Sequence, residues 1–376
     1  MLRGFLTVGL IASPFALSGP ALAETVNTGG TTGAYHQYFC PALKKALSSR
    51  NYQLACEPSD GTLDNLNRVQ SEPATFGYGQ ADVLALQVGN RGNAEAITRV
   101  RSDDVRECVF AVTKNRDLQN FGEIAVFAGQ LNFFLPPEKS GSTGTFRFLQ
   151  KIDPEGLGAA ENVNVEATTD DAIRKAIETP GGVALFVQFP DPKNPRFKMI
   201  EDLGGHIVPV VDRAMLTQEV NGQKIYFAQE TQVTNAKWLS AGRTVVTACV
   251  PLVLFAGNAG TIPDRTERQN HEDLVSVIRG LRTEDVLPQQ SIFSKILRRT
   301  KQLSAAGSER LIKLSEKARE RAKPLLDQAK ATGRKIYERA KDGAETMIEK
   351  AKPKQTGEGR SEERRVVKEC VKAWGG

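Results

Sequence analysis

Short apolar segments alternate with helical patterns between residues 24 and 90. Strand-like segments are ETVNTGG, NYQLACEPS and the start of ATFGYGQADVLALQ, and the residues between them have apolar side chains at helical spacing. This β-α-β-α-β order predicts a parallel sheet with helices on both faces. A strand, a turn rich in Gly and hydroxyl residues, and a helix recur in GQLNFFLPPEKSGSTGTFRFLQKI. We therefore expect an α/β chain with two lobes and a ligand cleft at the carboxyl ends of the strands.

The N-terminal residues 1–23 are typical of a secretory signal peptide. Arg3 precedes the apolar run Phe5–Leu17, and a small-x-small motif, ALA, follows. A membrane anchor is the alternative for the same segment. We expect the mature chain to begin near Glu24 and to be periplasmic.

The cysteines of an exported chain are expected to form disulfides. Cys40 and Cys56 are close in sequence, and a bridge closing a loop of that size stabilises the fold by roughly 3 kcal/mol. Cys108 and Cys249 both lie in strand-like segments, and we pair them, which leaves Cys370 unpaired. The chain has no CxxC motif, and we predict neither a metal site nor a cofactor.

The net charge of +6 is distributed unevenly along the 376 residues. Residues 295–376 contain 23 Lys or Arg and 12 Asp or Glu, a balance of +11, whereas the remainder has a balance of −5. The basic character thus belongs to the C-terminal part, and we predict no nucleic-acid partner for the body.

The C-terminal part shows an 11-residue repeat of apolar or small residues from Leu311 to Ala351. Eleven residues make about three turns, so the pattern predicts a basic amphipathic helix over 286–352. Pro324 is expected to kink or break it, and 353–376 is expected to be disordered. Such a helix can contact anionic lipid or a partner helix. The alternative is a solvated helix without a partner.

Two turns, NTGGTTGAY and SGSTGT, each stand between a strand and a helix. Backbone N–H groups at a helix start favour an anion, and the hydroxyl groups add donors. The alternative for each is a plain turn with an N-capping hydroxyl. Neither matches a P-loop or GxGxxG, and the chain shows no GxSxG elbow. We predict a binding protein rather than an enzyme, although an active site assembled from distant residues is the remaining alternative.

The segment 24–260 resembles the TAXI group of periplasmic solute-binding proteins, the receptors of one class of TRAP transporter. The similar segments are TGGTTGAYHQYFCPALKKAL, EPSDGTLDNLNRVQSEPATFGYGQADV, LPPEKSGSTGT, FVQFPDP and VPLVLFA. The resemblance implies a two-lobed periplasmic-binding-protein type II fold. It implies one lobe of 24–105 with about 245–285, and a second lobe of 106–244.

The resemblance also implies a set of ligand-facing residues at the turns and strand ends of both lobes. These are Gly30, Thr31, Tyr35, Thr62, Gln80, Ser142, Thr143 and Thr145. Gln188 and Phe189 stand where the family has small residues, and they are expected to narrow the second-lobe side of the pocket. The resemblance places Cys108 and Cys249 on two crossing strands, where a bridge would restrict lobe motion.

The function that the resemblance implies is capture of a small carboxylate, such as glutamate or a 2-oxoacid, between two lobes. The bound solute would pass to a TRAP membrane permease. The alternative is a binding fold that acts in envelope interaction or sensing, with the basic helical tail contacting the membrane or a partner. The tail has no counterpart in the family pattern.

Overall fold

The computed structural model describes residues 24–89, 95–220, 222–234, 242–288 and 301–351. The predicted signal peptide, Cys370 and the predicted disordered C-terminus lie outside these residues. The described strands are β1 Glu24–Asn27, β2 Leu54–Glu57, β3 Phe76–Gln80, β4 Ile97–Thr113, β5 Asn132–Leu135, β6 Asn162–Val165, β7 Gly182–Gln188, β8 His206–Val208, β9 Glu219–Val220, β10 Gln223–Lys224, β11 Phe227–Gln232, β12 Thr244–Gly257 and β13 Lys301–Gln302.

The described α-helices are α1 Cys40–Ser48, α2 Thr62–Ser71, α3 Ala81–Val88, α4 Phe121–Val126, α5 Gly141–Ile152, α6 Thr169–Glu178, α7 Pro195–Asp202, α8 Arg213–Leu216, α9 Arg265–Gly280, α10 Thr283–Val286 and the C-terminal helix Ala305–Ala351. A π-helical turn, Tyr35–Phe39, leads directly into α1. The helix predicted after the NTGGTT turn is therefore present.

The main sheet has the strand order β2-β1-β3-β12-β4-β7-β5-β6. β1 pairs in parallel with β2 and β3, and β5 pairs in parallel with β6 and β7. The predicted β-α-β-α-β unit is thus confirmed, and a second parallel set lies at the other end of the sheet. Parallel strands need long crossovers, which the intervening helices provide.

β4 and β12 lie antiparallel in the centre of the sheet and pass through both halves of it. The first part of β4 lies beside the end of β12, which also pairs with β3, and the last part of β4 pairs with β7. We call the half with β1–β3, α1–α3, α9 and α10 the first lobe, and the half with β5–β8, β11 and α4–α8 the second lobe. The predicted two-lobed fold is confirmed.

Both predicted disulfides are present. Cys40–Cys56 joins the start of α1 to β2 within the first lobe, where Cys40 is part of the buried core. Cys108–Cys249 joins directly opposite residues of β4 and β12, so it links the two strands that connect the lobes.

The C-terminal helix begins at Ala305, and the chain divides into two compact units, one up to Lys323 and the other from Pro324. Ahead of the helix, β13 pairs with β11 of the second lobe. The helix continues through Pro324, so the expected break is not found there. A proline removes one helical hydrogen bond at a cost of about 3 kcal/mol, and the helical residues on both sides of it offset this loss.

The part of the C-terminal helix before Pro324 packs on the second lobe. The buried Ile312 joins the second-lobe core. Arg319 forms ion pairs with Asp153 at 2.5 Å and with Asp212 at 3.0 Å. This segment is therefore an integral part of the fold. None of the described helices has the length and hydropathy of a membrane span.

Candidate functional site

The turns at the starts of α2 and α5 meet between the lobes. Leu63 N–H donates to the carbonyl of Lys139 at 3.1 Å, and the Lys139 ammonium lies 3.0 Å from the Asp60 carboxylate. Gly61 has φ +129°, and a Cβ there would stand 2.8 Å from Ser140 Cα. Glycine is required at this position because the two backbones approach so closely. The structure therefore brings the lobes into direct contact at this edge of the cleft.

Three of the predicted ligand residues form one buried hydrogen-bonded chain inside the cleft. The Thr62 hydroxyl donates to Gln80 Oε1 at 2.6 Å, and Gln80 Nε2 donates to Glu107 Oε2 at 2.7 Å. Tyr35 Oη donates to the same Glu107 oxygen at 2.5 Å. The donors reach this point because Thr62 and Gln80 stand at the starts of α2 and α3, and Glu107 lies on the crossing strand β4.

A second buried cluster joins the lobes around Asp82 in the first turn of α3. The hydroxyls of Thr145 on α5 and of Tyr226 before β11 both donate to Asp82 Oδ2, each at 2.7 Å. Of the predicted residues, Thr145 is therefore bonded to the opposite lobe. Hydroxyls of the second lobe thus hold a carboxyl group of the first.

The remaining predicted ligand residues divide between the surface and the protein's own backbone. Gly30 and Thr31 are exposed on the first turn. Ser142 Oγ accepts from the Val187 N–H at 2.9 Å, and the Thr143 hydroxyl donates to the Pro136 carbonyl at 2.8 Å. The last two hydroxyls thus fix the start of α5 within the second lobe.

The N-cap of α5 is Ser140, whose Oγ accepts from the Thr143 N–H at 3.2 Å. N-capping, the alternative interpretation of the SGSTGT turn, is therefore present. The structure also shows which turn of the first lobe lies opposite the SGSTGT turn. The contact is made by Asp60–Leu63, whereas Gly29 of the NTGGTT turn packs behind it, with its carbonyl accepting from Ser59 N–H at 3.0 Å.

Burial controls the ionisation of the cluster. It raises the pKa of Glu107 to about 7, with the negative charge of Asp82 acting in the same direction and the hydrogen bonds from Tyr35 and Gln80 opposing it. Burial likewise raises the pKa of Asp82, and hydrogen bonds from Thr145 and Tyr226 oppose that rise. The hydroxyl pKa of Tyr35 lies well above its ordinary value, chiefly through burial and then through the Glu107 charge. Burial between the lobes therefore favours the protonated form of both carboxyl groups.

Phe189, which follows β7 of the second lobe, fills space beside the first lobe. Its ring stacks on Phe39 with centroids 5.5 Å apart and meets Tyr35 edge-on at 6.3 Å. Gln188 is buried, and its Oε1 accepts from the Arg196 guanidinium at 3.0 Å. Of these two side chains, Phe189 therefore packs against a predicted ligand residue, Tyr35.

Sequence reasoning did not single out Glu107, Asp82 or Tyr226. One signal was present for Glu107, an acidic residue within the otherwise apolar strand segment ECVFAV. An acidic residue there must face solvent or a buried polar partner. The two polar partners of Glu107 are Gln80, 27 residues away, and Tyr35, 72 residues away. No local sequence pattern reveals contacts at such separations.

Comparison with known proteins gives likeness of structure without likeness of sequence. No protein-family model matches the chain, and no curated protein matches it. One similar solved structure is PhnD1 from Prochlorococcus marinus in complex with methylphosphonate, at 13% identity and a TM-score of 0.41, covering 78% of this chain and 97% of that one. Another is MatC from Rhodopseudomonas palustris with bound malate, at 13% identity and a TM-score of 0.39, covering 80% and 98%.

A TctC solute-binding protein from Polaromonas is also similar, at 12% identity and a TM-score of 0.40, covering 81% of this chain and 98% of that one. The likeness of these proteins to the chain concerns the fold alone. Identities this low and TM-scores below 0.5 leave the ligand and the partner of this chain open.

Proposed function

We propose that the protein is an extracytoplasmic solute-binding protein of the TAXI type, which captures a small carboxylate between its lobes and delivers it to a TRAP permease. The observation that carries the proposal is the gathering of Tyr35, Thr62 and Gln80 at one point of the cleft. Hydroxyl and amide donors beside the starts of α2 and α3 are groups that suit a carboxylate.

Capture requires the lobes to part and close again. An open form would separate Gly61 from Ser140 and break the bonds of Asp82 to the second lobe, so that a solute could reach Tyr35 and Gln80. Gly30 and Thr31 would contact the solute at the mouth of the cleft. Ser142, Thr143 and Thr145 would form the second-lobe wall, with Ser142 and Thr143 acting through the position of α5 rather than through their hydroxyls.

The proposal is binding without chemistry. In it Ser142 has a structural role, because its Oγ accepts from the Val187 N–H and so positions the start of α5. Within the described ranges, no group of His, Cys, Asp or Glu side chains is arranged to hold a metal ion. Export by the predicted signal peptide of residues 1–23 belongs to the same proposal.

The part of the C-terminal helix from Pro324 to Ala351 offers little net charge for contact with a membrane. The segment Pro324–Ala351 carries six Lys or Arg and five Asp or Glu, a net charge of +1. Attraction to anionic lipid increases by about 1 kcal/mol for each basic residue near the surface, and here acidic residues balance most of that gain.

The proposal is tested by thermal unfolding of the chain from Glu24 onward in a panel of amino acids, 2-oxoacids and dicarboxylates. A ligand at about 100 times its dissociation constant adds about 2.7 kcal/mol to the free energy of unfolding, so the melting temperature should rise by several degrees. Gln80→Ala should abolish the rise, because it removes a donor of the cleft. The exposed Gln269→Ala is the matched control and should keep it. A panel in which no carboxylate stabilises the protein would exclude this function.

A further inference from the structure

The acceptor held by the cleft donors belongs to the protein itself. Tyr35 Oη and Gln80 Nε2 converge on one oxygen of Glu107, at 2.5 and 2.7 Å. Both donors belong to the set that the family resemblance assigns to the ligand. The Glu107 carboxyl group therefore stands where the proposed ligand carboxylate is expected.

The position of Glu107 suits a group that competes with a solute. It lies on β4 next to Cys108 and opposite Val250 of β12, on the pair of strands that connects the lobes. Its side chain is buried, with the residue 7% exposed. A side chain on a connecting strand stays at the cleft whichever lobe moves, so it can occupy the donors of the first lobe whenever no solute does.

Glu107 is held by neutral donors rather than by a cation. Of the charged and titratable groups in the described part of the chain, Tyr35 and Asp82 act on Glu107, and neither carries a positive charge. Its neighbour Arg106 engages other groups, since it forms an ion pair with Asp104 at 2.6 Å and its guanidinium lies 3.8 Å from the centroid of the Phe227 ring. A buried carboxylate without a cation is poorly compensated. Exchange of Glu107 for a ligand carboxylate would therefore break no ion pair.

We propose that Glu107 is an internal substitute for the ligand carboxylate: it occupies the Tyr35–Gln80 donor pair when no solute is bound and is displaced when a solute binds. This inference rests on the proposed function and adds a residue that sets its specificity. A tethered group competes at an effective concentration of millimolar order. Because Glu107 is also already oriented at the donors, a simple monocarboxylate in solution would not displace it, whereas a solute with further contacts between the lobes would. Neutral solutes lack the charge that the donors favour.

Removal of the Glu107 carboxyl group should create a site for an external carboxylate. Glu107→Ala deletes a CH₂–COO⁻ fragment, and acetate has that size and charge. We expect acetate to raise the melting temperature of Glu107→Ala saturably, by several degrees, and to leave the wild type unchanged. Acetamide, the neutral isostere, and sodium chloride at equal ionic strength should have no such effect. The double variant Glu107→Ala with Gln80→Ala should lose the acetate response, because one of the two donors is gone.

A second variant tests the same idea with a longer carboxylate. Glu107→Gly deletes a CH₂–CH₂–COO⁻ fragment, which has the size and charge of propionate. If either variant folds only when its carboxylate is present, that dependence is the expected rescue. Failure of both variants to respond, or to fold in either carboxylate, would overturn the inference. The proposed function is judged separately. A wild type that binds no carboxylate in the panel defeats that function while acetate rescue still stands. Conversely, a wild-type ligand whose affinity does not tighten at least tenfold in Glu107→Ala defeats the inference alone.

Discussion

The carboxyl groups of Glu107 and Asp82 place two acids inside the cleft, and burial raises the pKa of both. A carboxyl whose pKa is higher in the folded than in the unfolded protein binds its proton more tightly when folded. The folded protein is therefore favoured while the group is protonated. Stability declines as the pH rises from the unfolded value toward the folded one.

For Glu107 this window extends from its ordinary pKa of 4.5 to about 7. The rise corresponds to about 3 kcal/mol of unfolding free energy lost between pH 4.5 and pH 8. Glu107→Gln lacks the titrating group, so its stability should fall less over that range. Urea denaturation at pH 5 and pH 8 measures the change in stability of both proteins. The exposed Glu272→Gln is the control, and equal slopes for wild type and Glu107→Gln would contradict the assignment.

Helices α3 and α5 form the main packing surface between the lobes. They approach closely at Gly144, where an added Cβ would stand 2.7 Å from Val83 Cγ1. Gly280, at the end of α9, has no atom within 4 Å of such a position. The two glycines therefore separate the effect of lobe packing from that of helix propensity.

Gly144→Ala should destabilise the protein because overpacking costs about 1–3 kcal/mol, against a gain in helix propensity of at most about 1 kcal/mol. Gly280→Ala keeps the propensity change without the clash and should be neutral or slightly stabilising. Denaturant unfolding measures both. Adding Val83→Ala to Gly144→Ala should recover part of the loss, and additive effects in that double-mutant cycle would show that the two side chains do not meet.

At the scale of the whole molecule, the two disulfides constrain loops of very different length. Cys40–Cys56 has a sequence separation of 16 and Cys108–Cys249 one of 141. In the chain-entropy model these loops correspond to about 3 and about 5 kcal/mol. Replacing Cys108 and Cys249 together by alanine should thus lower the unfolding free energy by about 2 kcal/mol more than the same change at Cys40 and Cys56. Unfolding of both variants in guanidinium measures the two losses of free energy. A larger loss for the Cys40 and Cys56 variant would contradict the chain-entropy model.

Local patterns predicted much of the fold, because strand alternation, helical spacing and glycine turns are properties of neighbouring residues. They also predicted both disulfides. The first half of β4 was missed, since RSDD within Ile97–Thr113 is polar and its strand character depends on pairing with β12. The cleft was predicted as a set of donors but not as a network. Tyr35 and Glu107 are 72 residues apart, and only the folded chain shows that they bond to each other.

The path of the chain between the lobes limits how far they can separate. β4 leads into the second lobe and β12 leads back, and the chain then crosses once more, from Leu287 beside the first-lobe core to Leu303 on the second-lobe core. Two connections alone permit rotation about a hinge, whereas a third acts as a tether. Leu287 and Leu303 are sixteen positions apart, so the chain between them can span at most about 55 Å. The length of this segment therefore sets an upper limit on how far the two lobes can separate.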